Sequence, residues 1–156
     1  MKPAITPRLW SRRQRGATAV EFAILFPLFF VIFYAIVTYG MIFAAQQSLT
    51  LAATEGARAA LNYQVATTPT AALGLRATAA CTAANGLTGW LSTNATCTSV
   101  AQQPCSFDAT MYCVQVTITY PYASSPLVPT IALFTGALPT TLTSQATVEI
   151  NPATII

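Results

Sequence analysis

The chain has 156 residues, of which 54% are apolar and only 7% charged, with no histidine and four cysteines. That leaves room for one membrane segment and one small domain, and too few charges for an ordinary soluble surface. The formal charge of +3 is uneven. Residues 1–16 hold five cations and no acid (Lys2, Arg8, Arg12, Arg13, Arg15), whereas the remainder holds Arg58 and Arg76 against Glu21, Glu55, Asp108 and Glu149. The basicity therefore belongs to the leader, and the rest offers no electrostatic footprint for nucleic acid.

Residues 1–16 read as a basic leader interrupted by Pro3 and Pro7. From Ala17 the pattern is helical to about Leu61. Phe22–Ala45 contains 24 residues, and all but Pro27, Thr38 and Gly40 are apolar. At about 1.5 Å per residue such a helix is roughly 36 Å long, enough to cross a hydrocarbon core of about 30 Å. Cations before the span and almost none after it predict a cytoplasmic N-terminus and an exported C-terminus. Pro27 lacks the N–H of a helix interior and predicts a local kink.

Glu21 stands at the entrance of this span, where a carboxylate is costly without a partner. It lies five residues past Gly16. A cut after Gly16 would free an amine at Ala17, one helical turn from Glu21, and the amine of this or a neighbouring chain could compensate the charge. The N-terminal end of the helix dipole favours the same carboxylate. An ordinary secretory signal needs a shorter apolar core followed by a small-residue site, which is missing here. Ser11-Arg12-Arg13 is a weak match to a twin-arginine signal, because the segment behind it is far too apolar.

Past the span, Leu49, Ala52, Ala53, Gly56 and Ala60 recur at helical spacing as a narrow face of small residues. That face suits either the chain's own domain or a neighbouring subunit. Glu55 and Arg58 can pair on the opposite side. A domain over residues 62–156 follows. Thr70 is placed to cap a second helix over Ala71–Asn85 that stops at Gly86, and Leu87–Phe107 reads as a loop. Met111–Tyr120 and Thr141–Ile150 alternate in polarity and read as antiparallel strands. Ile131–Thr135, between prolines, could form a short helix near the membrane or over the sheet. The fold class is α+β: a long N-terminal transmembrane helix continuing out of the membrane, then a small disulfide-bonded helix-plus-antiparallel-strand domain.

Cys81, Cys97, Cys105 and Cys113 fall within 33 residues of the exported part. An even count outside the cytoplasm predicts two disulfides. Three pairings are possible, and Cys81–Cys97 with Cys105–Cys113 closes short local loops. Zinc is the poorer reading, since no Cys-x-x-Cys spacing and no histidine is available. Without histidine neither a Ser–His–Asp triad nor a Cys–His dyad can form, and no glycine-rich phosphate loop follows either strand. Neither catalysis, a cofactor, a metal nor a small-molecule substrate is expected.

Arg15-Gly16-Ala17-Thr18-Ala19-Val20-Glu21-Phe22-Ala23-Ile24-Leu25-Phe26-Pro27 closely resembles the opening of TadE-like proteins, and Glu55-Gly56-Ala57-Arg58-Ala59 resembles their second signature. The two motifs cover roughly Arg15–Leu61. The resemblance implies a pseudopilin or minor pilin of the bacterial tight-adherence (Tad, or Flp) pilus, cleaved after Gly16 by a prepilin peptidase. It also implies residence in the inner membrane with a periplasmic C-terminus, and partners among pilin subunits, the assembly platform and membrane lipid. Surface attachment and biofilm formation are the implied context. TadF-type proteins are similar in size and TadG-like ones usually longer. A departure is Ala17, small where pilins often carry a bulky first mature residue. The competing expectation is an envelope binding or adaptor protein on an uncleaved span.

Overall fold

A computed structural model describes residues 14–155; the leader up to Arg13 lies outside the described residues. Three helical turns aside, the element order is α1 (Gln14–Ala59), α2 (Pro69–Leu87), β1 (Thr96–Gln102), β2 (Tyr112–Tyr120) and β3 (Leu142–Ile150), an α+β plan. The 3-10 turns are Gly89–Asn94, Ala132–Ala137 and Pro152–Thr154. The chain divides into two compact units, Met1–Tyr39 and Gly40–Ile156.

In the first unit α1 runs unbroken through Pro27. Most of its large side chains from Phe22 to Ile36 are exposed around the helix, with Val31 and Tyr34 half-buried. Phe22–Phe26 and Phe29–Phe33 stack one turn apart, with ring centroids at 5.3 Å and 6.1 Å. Thr18–Ala59 contains a window of mean hydropathy 2.5 with none of it buried, so this helix is long and apolar enough to cross a membrane.

In the second unit the remainder of α1 becomes a core element. Ile42, Ala45, Leu49, Ala52, Ala53, Ala57 and Ala60 are buried, so the small-residue face is used by the chain's own domain. α2 runs antiparallel to it. Arg76 reaches the carbonyls of Ala60 and Leu61, Gly56 abuts Ala80 and Ala84, and Ser48 donates to the carbonyl of Leu87.

The sheet is antiparallel in the order β1-β2-β3. Its register aligns Ser99 with Val116 and Val116 with Ala146. On the inner face Val114, Val116 and Ile118 are buried, while threonines and glutamines occupy the outer face, as period-2 alternation requires. α2 packs on β1 and β2, and the Ser99 hydroxyl donates to the carbonyl of Ala77 at 2.8 Å.

Two local expectations are corrected. The stretch Leu87–Phe107 is not simply a loop, because Thr96–Gln102 forms edge strand β1. Its inward positions are Cys97, Ser99 and Ala101, small enough for α2 to lie close, so the strand has no run of large apolar residues to announce it. The cap of α2 is Thr68, not Thr70. The Thr68 side chain accepts from the Ala71 N–H, and Pro69 takes the first helical position, where its missing N–H costs nothing.

Disulfides join Cys81 to Cys97 and Cys105 to Cys113. The first ties α2 to β1. The second ties the start of β2 to the connection before it, where Cys105 N–H also donates to the carbonyl of Met111 at 2.8 Å.

Candidate functional site

The candidate residues singled out in the sequence lie on α1, one group in the first unit and a second in the Gly40–Ile156 unit. At the N-terminal end, Gly16 and Glu21 are exposed, and nothing lies within 4 Å of the position a Gly16 Cβ would take. Phe22 and Pro27 are exposed on the following turns. In an α-helix four residues rise about 6 Å. Glu21 is thus about one turn from Ala17 and within reach of a charge there.

The second cluster, Glu55-Gly56-Ala57-Arg58, divides its work by helix face. Arg58 Nη1 donates to Glu55 Oε1 at 2.8 Å on the solvent side. An exposed pair at this spacing contributes only about 0.2–0.5 kcal/mol. Gly56 faces the opposite way. A Cβ added there would stand 2.9 Å from the Ala80 carbonyl oxygen and 3.2 Å from both Ala84 Cβ and Val116 Cγ1. The glycine is thus required by the approach of α2 and β2, and Ala57 beside it is buried.

Residues 16–58 match the family model described as TadE-like protein. This N-terminal segment is similar to that family. Searches of curated proteins and of solved structures found no match. The limits of the match fall on Gly16 and Arg58, so it includes both clusters.

Sequence reasoning missed Arg76. It is 3% exposed, in a core otherwise apolar, and its guanidinium donates to the carbonyls of Ala60 (3.4 Å), Leu61 (3.3 Å) and Ile155 (3.2 Å). Ala60 and Leu61 follow the last turn of α1, where carbonyls have no intrahelical donor and the dipole favours a cation. Arg76 therefore fastens the end of the TadE-like helix to α2 and to the last described residues. The signal in the sequence was slight: a lone cation in a helix whose neighbours Leu73, Ala77 and Ala80 are apolar.

The Gly40–Ile156 unit carries little polar chemistry. Among the described residues no group of three or more His, Cys, Asp or Glu side chains gathers to hold a metal. A cleft lined by Tyr122, Thr130, Thr135 and Thr140 has a volume of about 140 Å3, small beside the roughly 300 Å3 from which ligand pockets start. Asp108 accepts from both the hydroxyl and the N–H of Thr110, which holds its carboxyl below the usual range and closes a tight turn.

Proposed function

We propose that the chain is a pseudopilin or minor pilin that takes part in assembling Tad pili, and that a prepilin peptidase removes the leader by cutting after Gly16. The observation that carries this reading is the TadE-like match beginning at Gly16, with Glu21 one turn beyond the amine such a cut would free. The membrane-compatible helix supports retention of the span after cleavage, with the N-terminus cytoplasmic, the outer unit periplasmic, and the inner membrane as the assembly compartment. In an assembling stack, the Ala17 amine of one subunit compensates the Glu21 carboxylate of its own or a neighbouring helix, which lowers the cost of holding that charge among apolar helices. The role is structural. The partners are the peptidase, other pilin subunits and the platform that inserts them.

The test is the N-terminus of the protein recovered from membranes of cells co-expressing a cognate prepilin peptidase. A mature chain starting at Ala17 is expected. A chain retaining Met1 or Lys2 in piliated cells would overturn the proposal and leave a single-span adaptor with an uncleaved N-terminus.

A further inference from the structure

The folded part of the chain separates charge by topology. Among the described residues of the Gly40–Ile156 unit the charged side chains are Glu55, Arg58, Arg76, Asp108 and Glu149. Arg76 sits at the far end of α1, against Ala60 and Leu61. Glu149 pairs with Cys113 at the end of the sheet where Asp108 lies in the β1–β2 connection. Glu55 and Arg58 follow Ser48 by seven and ten residues, or about 10 and 15 Å along the helix axis.

The other end of the unit has no charge. α2 returns to the level of Ser48, where the Leu87 carbonyl accepts from Ser48 Oγ and Trp90 Nε1 donates to it at 2.8 Å. β3 starts there too, since Gln46 Nε2 donates to the carbonyl of Thr143 at 3.0 Å. Residues 77–107 and 109–148 contain no charged side chain. Large apolar groups at this end are nevertheless exposed: Phe43 (67%), Trp90 (50%), Leu87 (39%) and, in the connection before β3, Ile131 (38%).

What covers them follows from the same helix. The apolar run Phe22–Ala45, roughly 36 Å long, fills a hydrocarbon core of about 30 Å with some tilt, and a headgroup layer of about 5–7 Å takes about four residues more. That layer reaches about Leu49 and so takes in the level of Ser48, where Trp90 is tethered. We propose that this uncharged end is seated in the headgroup layer of the bilayer that α1 crosses, with Trp90 and Leu87 as its anchors. The inference rests on the reading of α1 as a membrane span. An indole with an apolar body and one donor suits this layer, and the donor already has its partner in Ser48. The recognition is apolar and dipolar, not electrostatic, so it requires no anionic lipid.

The test uses fluorescence of the full chain in vesicles of phosphatidylethanolamine and phosphatidylglycerol. The chain has two tryptophans, Trp10 and Trp90, so Trp10→Phe leaves Trp90 as the reporter. A second protein, Trp10→Phe/Trp90→Phe/Phe29→Trp, reports on the span itself. We expect a blue-shifted Trp90 emission that is lost to nitroxides attached near the lipid headgroup more than to nitroxides near the chain ends, and the reverse order for the Phe29→Trp protein. Trp90 emission untouched by either nitroxide, with the Phe29→Trp emission still lost to the deep one, would overturn the seat and spare the span. In that case protection of Trp90 from aqueous acrylamide would assign the surface to a second copy of the chain. Emission of the Phe29→Trp protein untouched by the deep nitroxide would overturn both.

Discussion

The carbonyl oxygen of Ala80 stands 2.9 Å from where a Cβ on Gly56 would be, closer than a side-chain carbon can approach. The obstacle is backbone, which cannot swing aside as a flexible side chain would. Gly56→Ala should therefore be destabilising although alanine is the better helix former, because overpacking costs about 1–3 kcal/mol and the helical gain is about 1 kcal/mol at most. Thermal unfolding of the full chain in detergent, followed by circular dichroism, checks this. Gly40→Ala, with nothing within 4 Å of its Cβ, is the control and should not lower the midpoint.

Arg76 gives a second expectation. Arg76→Met keeps the bulk of the stem and leaves the carbonyls of Ala60, Leu61 and Ile155 without this donor. The loss should be about 1–3 kcal/mol for each acceptor that stays buried and unpaired, less where water reaches it. Arg76→Lys should recover only part, because an ammonium cannot span three acceptors as a planar guanidinium does. Denaturant unfolding of the three proteins side by side measures the order.

For the cysteines, thiol titration of the denatured, unreduced protein should find no free thiol. The Cys81–Cys97 bridge closes a separation of 16 residues and Cys105–Cys113 one of 8. On chain entropy alone removing the first costs about 3 kcal/mol and the second about 2.5 kcal/mol. The pair Cys81→Ala/Cys97→Ala should thus lower the unfolding midpoint more than Cys105→Ala/Cys113→Ala, the more so because it frees α2 from β1.

Alkali should single out Tyr120. Burial pushes its phenol above the ordinary value of 10.0, and its hydroxyl donates to the Ser125 carbonyl at 2.6 Å. The native state holds this proton more tightly than the unfolded chain does. Its contribution is therefore complete below about pH 10 and is lost as pH rises through the folded pKa. Tyr120→Phe should cost about 0.5–1.5 kcal/mol at neutral pH, and the gap between the two proteins should narrow above about pH 10. Unfolding midpoints of both across that range decide it.

Glu21 separates processing from assembly. Glu21→Ala should still be cut after Gly16, since the scissile bond lies more than a turn away, yet it should enter pili poorly. Wild-type piliation in that variant would count against the amine–carboxylate pairing.

Much of this arrangement was legible in the sequence, for identifiable reasons. The long helix, apolar enough to cross a membrane, is visible because its apolar run exceeds the roughly 20 positions that a hydrocarbon core takes. Strands β2 and β3 are visible because Val114, Val116 and Ile118 alternate with Gln115, Thr117 and Thr119. Strand β1 escapes notice because its inner residues are a half-cystine, a serine and an alanine, chosen by the nearness of α2 and not by hydrophobicity. Gly56 was legible as part of a small-residue face that admits a close neighbour, but not that the neighbour is the backbone of α2 at the Ala80 carbonyl. Arg76 stood out in the sequence only as one of two cations beyond the leader, and nothing local says that three carbonyls converge on it. The cap of α2 was legible as a threonine but placed at Thr70, two residues past Thr68, whose side chain caps the helix just before Pro69.

The burial of Ile42, Ala45, Leu49 and Ala53 beneath the outer unit has a practical consequence for making the protein. A soluble fragment cut after Leu61, where the long helix ends, would lose the wall on which α2 and Val116 close, and should be recovered misfolded or not at all. A workable fragment begins near Gly40 and brings exposed Met41 and Phe43 with it. Replacing those two and the exposed Leu87 and Trp90 by polar residues, while leaving Ile42 and Ala45 untouched, is the design that would free the Gly40–Ile156 unit from detergent.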